Sequence, residues 1–275
     1  MKIGSENLIR ARRCAQPIQH LAGNRRVVLL IHGYTGYPGE LAFIGKELAE
    51  ADWDVRIPRL TGHGTSGSDF ASANMAMWRR QVADEWFNLN TIYDEVMVLG
   101  HSMGALLSLD LAVKYPVRSL VVLAPAIGVR VKGRSLFRVI SWFIRKWPRE
   151  WESDPDFCFF DERDEDDDLY LGAEYWSWNW FSSLADLFSL QSAIERRLGS
   201  VKAPVLGIFG ELDELVGSAS RKLMKTRLKS AYIEKILTGC GHLIPYDPNT
   251  GSKELAAQTI IEWLESQSTR KPGVC

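Results

Sequence analysis

Val96-Met97-Val98-Leu99-Gly100-His101-Ser102-Met103-Gly104-Ala105-Leu106-Leu107 decides how the rest of the chain is read. Four apolar residues run into a Gly-x-Ser-x-Gly pentapeptide, and a helical pattern, Ala105 to Ala112, leaves it. A serine wedged between strand and helix sits on a sharp, strained turn that lifts its hydroxyl clear of the sheet. Gly100 and Gly104 lack a Cβ, so strand and helix can close on each other there. The helix N-terminus also offers free N–H groups where negative charge develops. Two glycines around a serine recur by chance; the flanks are what make Ser102 an expected nucleophile.

On either side of this stretch strands alternate with helices. Val27-Val28-Leu29-Leu30-Ile31 is apolar on both faces, as a central parallel strand must be, and enters the glycine-bearing loop His32-Gly33-Tyr34-Thr35-Gly36. Leu41, Ile44 and Leu48 keep helical spacing over Glu40–Ala51. Asp54–Ile57 reads as a strand, Pro58–Gly64 as a loop and Met75–Tyr93 as a long helix. Beyond the serine come a buried strand, Ser119–Leu123, and another at Pro204–Gly210. A helix near Ser218–Leu228, a strand at Tyr232–Leu237 and a closing helix at Glu254–Glu265 follow. This rhythm predicts an α/β fold with a doubly wound, mostly parallel sheet. Near the N-terminus, Leu8-Ile9 and Ile18 suggest a short opening hairpin.

From Ile127 the rhythm breaks. Six of the ten tryptophans lie between Trp142 and Trp180, with Phe157, Phe159, Phe160, Tyr170, Tyr175 and Phe181 among them. An acidic run, Asp161–Asp168, reads as a solvated loop, because its spacing does not match a calcium-binding loop. The expected organisation is a core of residues 1–126 and 183–275, interrupted by a mainly helical cap at 127–182. Such an insertion lies above the strand ends, where open α/β sheets bind ligands.

Composition narrows the function classes. A formal net charge of -1 over 275 residues gives no reason to expect nucleic acid as a partner. Cys14, Cys158, Cys240 and Cys275 are scattered without metal-ligand spacing. They read as free thiols of a reducing compartment, which points to the cytoplasm. No stretch is apolar for long enough to be an integral membrane segment, and Met1–Pro17 has no apolar signal region.

A serine hydroxyl needs a general base, and that base needs an orienting group. On an elbow of this kind the chain order is serine, acid, histidine. Of the five histidines only His242 lies after both the elbow and a strand, on the glycine-flanked turn Thr238–His242. The acid belongs on the loop Gly210–Val216, where Glu211, Asp213 and Glu214 compete. Asp213 is favoured for its short reach, with Glu214 next. The oxyanion needs two fixed donors. The Met103 N–H is one, and the Tyr34 N–H on the loop after the first strong strand is the other. His32 and His63 read as braces for their loops.

Together these residues carry a resemblance. His32–Gly36, Pro58–Thr65, the Gly100–Gly104 elbow, and Asp213-Glu214-x-Val216 with Gly241-His242 resemble the motifs of the α/β-hydrolases, and within them bacterial carboxylesterases and monoacylglycerol lipases. The likeness spans most of residues 25–126 and 199–265, leaving out the insertion. It implies the α/β-hydrolase fold and cleavage of a small apolar ester through an acyl-enzyme, with no cofactor and no metal. Thioesters or C–C bonds beside a carbonyl remain open on the same residues, as does a ligand-binding or signalling protein without turnover.

Overall fold

Alternate side chains of the strand Arg26–Ile31 enter two different cores, and that alternation sets the layers. The computed structural model describes residues 11–129, 134–153, 165–247 and 251–269. The chain opens with β1 (Ile18–His20), β2 (Arg26–Ile31), α1 (Ala42–Glu50), β3 (Asp54–Ile57), α2 (Gly67–Ser72) and α3 (Met75–Asn90). It continues through β4 (Glu95–His101), α4 (Met103–Lys114) and β5 (Leu120–Leu123). Next come α5 (Arg134–Ile140), β6 (Lys146–Pro148), α6 (Glu165–Leu171), β7 (Trp178–Trp180) and α7 (Phe181–Arg197). The chain closes with β8 (Val205–Gly210), α8 (Gly217–Arg227), β9 (Tyr232–Leu237) and α9 (Ser252–Gln267).

Seven strands make one sheet in the order β1-β3-β2-β4-β5-β8-β9, parallel except for β1. Val27, Leu29 and Ile31 join a core with Trp78 and Val82 of α3 and Leu106 and Leu109 of α4. Val28 and Leu30 join a second core with Ile44 and Leu48 of α1 and Ile260 and Leu264 of α9. A strand apolar at every position is thus explained by helices on both faces. Two helices begin where short polar side chains cap them: Ser66 accepts the Asp69 N–H before α2, and Asn74 the Met77 N–H before α3.

Two expectations concern the edges. Ile18 lies on β1, which pairs with β3 with Ile18 opposite Ile57; Leu8-Ile9, the other half of the expected hairpin, lie outside the described residues. The acidic run is not all solvated loop. Residues 161–164 lie outside the described residues, but Asp167 and Asp168 are buried on α6. Asp167 is paired with Arg12, whose guanidinium also lies 5.0 Å from the centre of the Tyr170 ring, and whose own N–H donates to the Gly64 carbonyl at 2.9 Å. A carboxylate tolerates burial when a partnered cation comes with it.

Between β5 and α7 the chain forms α5, α6 and the two-stranded antiparallel pair β6–β7. Its aromatic residues divide three ways. Tyr170, Tyr175 and Trp180 join the core around Phe70 and Trp78. Trp151 and Trp176 face the cavity described below, and Trp142, Phe143 and Trp147 point outward. Phe157, Cys158, Phe159 and Phe160 lie outside the described residues.

Candidate active site

β4 runs straight into the elbow. Ser102 has φ 53° and ψ −112°, and its N–H donates to the Leu123 carbonyl of β5 at 2.9 Å. A positive φ on a side chain larger than glycine is costly and persists where surrounding structure over-determines it. Here the clamp is steric. A Cβ on Gly104 would stand 2.0 Å from the Ile31 carbonyl oxygen, so no larger residue lets α4 come this close to β2. Serine at a helix start ordinarily caps its own helix. Ser102 makes no such bond, because its strained backbone turns the hydroxyl away.

The hydroxyl meets His242 instead. His242 Nε2 lies 3.0 Å from Ser102 Oγ, and His242 Nδ1 lies 2.8 Å from Asp213 Oδ2. Asp213 Oδ1 accepts the N–H groups of Leu215 and Val216 at 2.9 and 3.0 Å. Burial pushes the Asp213 carboxyl upward, but the hydrogen bond and charge of His242 and the two backbone bonds together hold it below its ordinary value. Glu214 is exposed. Glu211 is exposed too, but its carboxylate accepts the Gly239 N–H at 3.1 Å and so braces the histidine loop.

Three of the remaining histidines, His32, His63 and His101, hold loops. His101 is buried, and its Nε2–H donates to the His242 carbonyl at 3.0 Å, linking the elbow to the histidine loop. A carbonyl only accepts, so this bond fixes the tautomer. Sequence reading passed over His101, since any residue can occupy the first variable position of the pentapeptide. His32 Nε2 accepts the Leu60 N–H at 3.1 Å and its Nδ1–H donates to the Gly33 carbonyl at 3.0 Å. His63 donates from Nδ1 to the Thr61 carbonyl at 3.3 Å and lies edge-on to the rings of Phe70 and His32.

Met103 opens α4, and the first N–H groups of a helix have no partner within it. Tyr34 sits on the turn closed by the Gly36 N–H to the Gly33 carbonyl at 3.2 Å. Both Gly33 and Tyr34 line the cavity above Ser102. The Tyr34 hydroxyl pairs with Ser183 Oγ of α7 at 2.6 Å, a contact no sequence signal marked.

That cavity measures about 540 Å³ and has Ser102 and His242 on its floor. Its apolar wall comes from Leu184, Leu187 and Phe188 of α7, together with Trp151, Trp176, Val129, Leu215 and Val216. Much of this wall therefore follows residue 182 in sequence. Arg149, Glu152, Asp168, Gln191 and Glu40 give the same cavity polar patches.

Among the described residues no helix is long and apolar enough to cross a membrane. Residues 22–249 match the family described as serine aminopeptidase, S33 (Hydrolase_4). A carboxylesterase of Bacillus subtilis (strain 168) is 20% identical over 245 residues, covering 88% of this chain and 94% of that protein. A thermostable monoacylglycerol lipase of Bacillus sp. (strain H-257) is 36% identical over 89 residues, 32% of this chain and 36% of the lipase. Among solved structures, one of the metagenome-derived lipolytic enzymes LipS and LipT superposes with a TM-score of 0.80 at 21% identity, covering 94% of this chain and 100% of that one. A soluble variant of monoglyceride lipase from Saccharomyces cerevisiae, in complex with a substrate analog, gives 0.70 at 16% identity, with 90% and 89% covered. The sheet and its flanking helices are those of the α/β-hydrolases.

Proposed function

We propose, from the premise that this chain belongs to the Hydrolase_4 (serine aminopeptidase, S33) family, that it is a serine hydrolase of small apolar carboxylic esters. The observation that carries this reading is the line from Asp213 Oδ2 through His242 to Ser102 Oγ, at 2.8 and 3.0 Å, beneath a largely apolar cavity. Asp213 accepts the Nδ1–H of His242, which leaves the Nε2 lone pair facing Ser102. Ser102 Oγ attacks the ester carbonyl as Nε2 takes its proton. The carbonyl oxygen becomes an oxyanion, held by the N–H groups of Tyr34 and Met103. His242 then returns the proton to the leaving alcohol, and the acyl group stays on Ser102. Water, deprotonated by the same imidazole, releases the acid. The chemistry draws on no metal or organic cofactor.

The organisation that goes with this reading is a core of residues 1–126 and 183–275 with a cap at 127–182, and a cytoplasmic protein with free thiols. Cys14 and Cys240 are both fully buried.

Labelling by a fluorophosphonate tests the nucleophile. The chain should be labelled and Ser102→Ala should not; an unlabelled chain would shift weight to a binding protein without turnover. A series of p-nitrophenyl esters tests the substrate class. Each CH₂ fully buried is worth about 0.8 kcal/mol, or about fourfold in kcat/KM, until the cavity is full. Faster turnover of the matching thioesters, or of aminoacyl nitroanilides, would replace the ester reading by a thioesterase or a peptidase on the same residues.

A further inference from the structure

Among the described residues, nothing covers the outward face of the segment 134–149. Leu136, Val139, Trp142, Phe143, Ile144 and Trp147 are exposed, Trp142 at 76% and Phe143 at 82%. On α5, Leu136 and Val139 are one turn apart on the outer side, while Phe137 packs inward on Phe181 and Phe188 of α7, with ring centres 5.5 and 5.6 Å away. Soluble monomers rarely leave a contiguous apolar patch of this kind in water.

Charge says what covers it. Residues 134–149 contain five Arg or Lys, namely Arg134, Arg138, Arg145, Lys146 and Arg149, and no Asp or Glu. The whole chain balances 33 cations against 34 acids, so the segment is a local concentration of positive charge. Arg145 and Arg149 are exposed; Arg138 reaches Asp186 at 3.6 Å, and Lys146 lies 3.7 Å from the centre of the Trp178 ring. Two copies of this face would set like charges against each other. Protruding Trp and Phe flanked by cations instead match the boundary between phosphates and acyl chains in a bilayer.

We propose that the face formed by residues 134–149 docks on an anionic phospholipid bilayer, with Trp142, Phe143 and Trp147 in the acyl boundary and Arg145 and Arg149 at the phosphates. The face meets the cavity at Arg149, which is exposed and also lines it, next to the cavity wall at Trp151. An apolar ester could then reach Ser102 without crossing water. That consequence rests on the ester-hydrolase reading; the docking does not, and its test reads binding alone.

The full chain is sedimented with vesicles of phosphatidylcholine and with vesicles of phosphatidylcholine mixed with phosphatidylglycerol. Binding should be confined largely to the mixed vesicles and weaken as salt rises. Arg145→Gln should weaken it about fivefold. The double variant Trp142→Ser/Phe143→Ser, with its Tm checked against the parent, should lose about tenfold or more. Absence of binding to mixed vesicles at low salt overturns the proposal. So does equal binding to phosphatidylcholine alone, or full binding by the folded double variant. Dimerisation abolished by the double variant, without vesicle binding, assigns the face to a second copy instead.

Discussion

Acid should unfold this protein well before its carboxylates titrate, because three histidines are buried in their neutral forms. His32 is driven down to about 4 and His101 to about 3, in both cases chiefly by burial; burial and the neighbouring His32 take His63 well below its ordinary value. Geometry says the same. Protonated His32 would turn an N–H toward the Leu60 N–H it now accepts. His63 Nε2 and His101 Nδ1, where the added proton would sit, are buried and make no hydrogen bond. In the unfolded chain each imidazole takes up its proton near pH 6.5. A folded value below the unfolded one means that protons favour the unfolded chain. Stability is therefore full above about pH 6.5 and falls with acid until the folded value is reached. At pH 5 His32 and His101 each remove about 2 kcal/mol and His63 acts in the same direction, against a total of about 5–15 kcal/mol for a typical domain. Asp213 and Glu95, both held below their ordinary values by hydrogen bonds that outweigh the upward push of burial, act only at more acid pH. Urea unfolding followed by tryptophan fluorescence at pH 7, 6 and 5 measures the slope. His63→Phe should lower stability at pH 7 through the lost Thr61 bond, yet lose less stability than the parent between pH 7 and 5. A parent whose stability changed by less than about 2 kcal/mol over that range would refute the reasoning. An unchanged slope in the variant would refute the part assigned to His63.

Three further outcomes follow from the site. His101→Leu removes the N–H that holds the His242 carbonyl, so kcat should fall about tenfold or more with KM little changed. His101→Gln, which keeps a donor, should recover most of it in the same ester assay. Asp213→Asn should lower kcat by a factor on the order of 10⁴, while Glu214→Gln stays near the parent, because Glu214 faces solvent. Gly104→Ala sets a methyl group against the Ile31 carbonyl and should cost about 3 kcal/mol or more, read as a Tm about 10 °C lower by calorimetry.

Local signals made the sheet legible. The apolar runs of β2, β4 and β5, residues 27–31, 96–99 and 120–123, arise because helices cover both faces, and that needs no knowledge of which helix does so. The Ser102, Asp213 and His242 placement followed from chain order and reach, and the structure brings those three together while leaving Glu214 outside. What stayed hidden depends on partners far away in sequence. Asp167 sits in a run that looks solvated, and only Arg12 makes its burial tolerable. β1 is too short to announce itself and takes its register from β3. Helix α7 begins at Phe181 and continues past the expected edge of the insertion, so Leu184, Leu187 and Phe188 of the cavity wall lie on the other side of that boundary from Trp151 and Trp176. The aromatic residues between Trp142 and Trp180 share a composition and not a role. Which of them is buried, faces the cavity or meets solvent is set by packing against Phe70 and α7.

The Arg12–Asp167 pair gives the first residues of the described chain an influence on the far side of the site. Arg12 precedes the edge strand β1 in the chain, yet it fastens α6, whose Asp168 lines the cavity. It works as a latch between the amino terminus and the roof. The family match begins at residue 22, so a protein trimmed to that boundary would keep Ser102, Asp213 and His242 and leave the roof unfastened. Such a trimmed enzyme should lose discrimination among acyl chains before it loses reactivity. A bulky tag or a proteolytic nick just ahead of Arg12 should act in the same way, at a distance, through one ion pair.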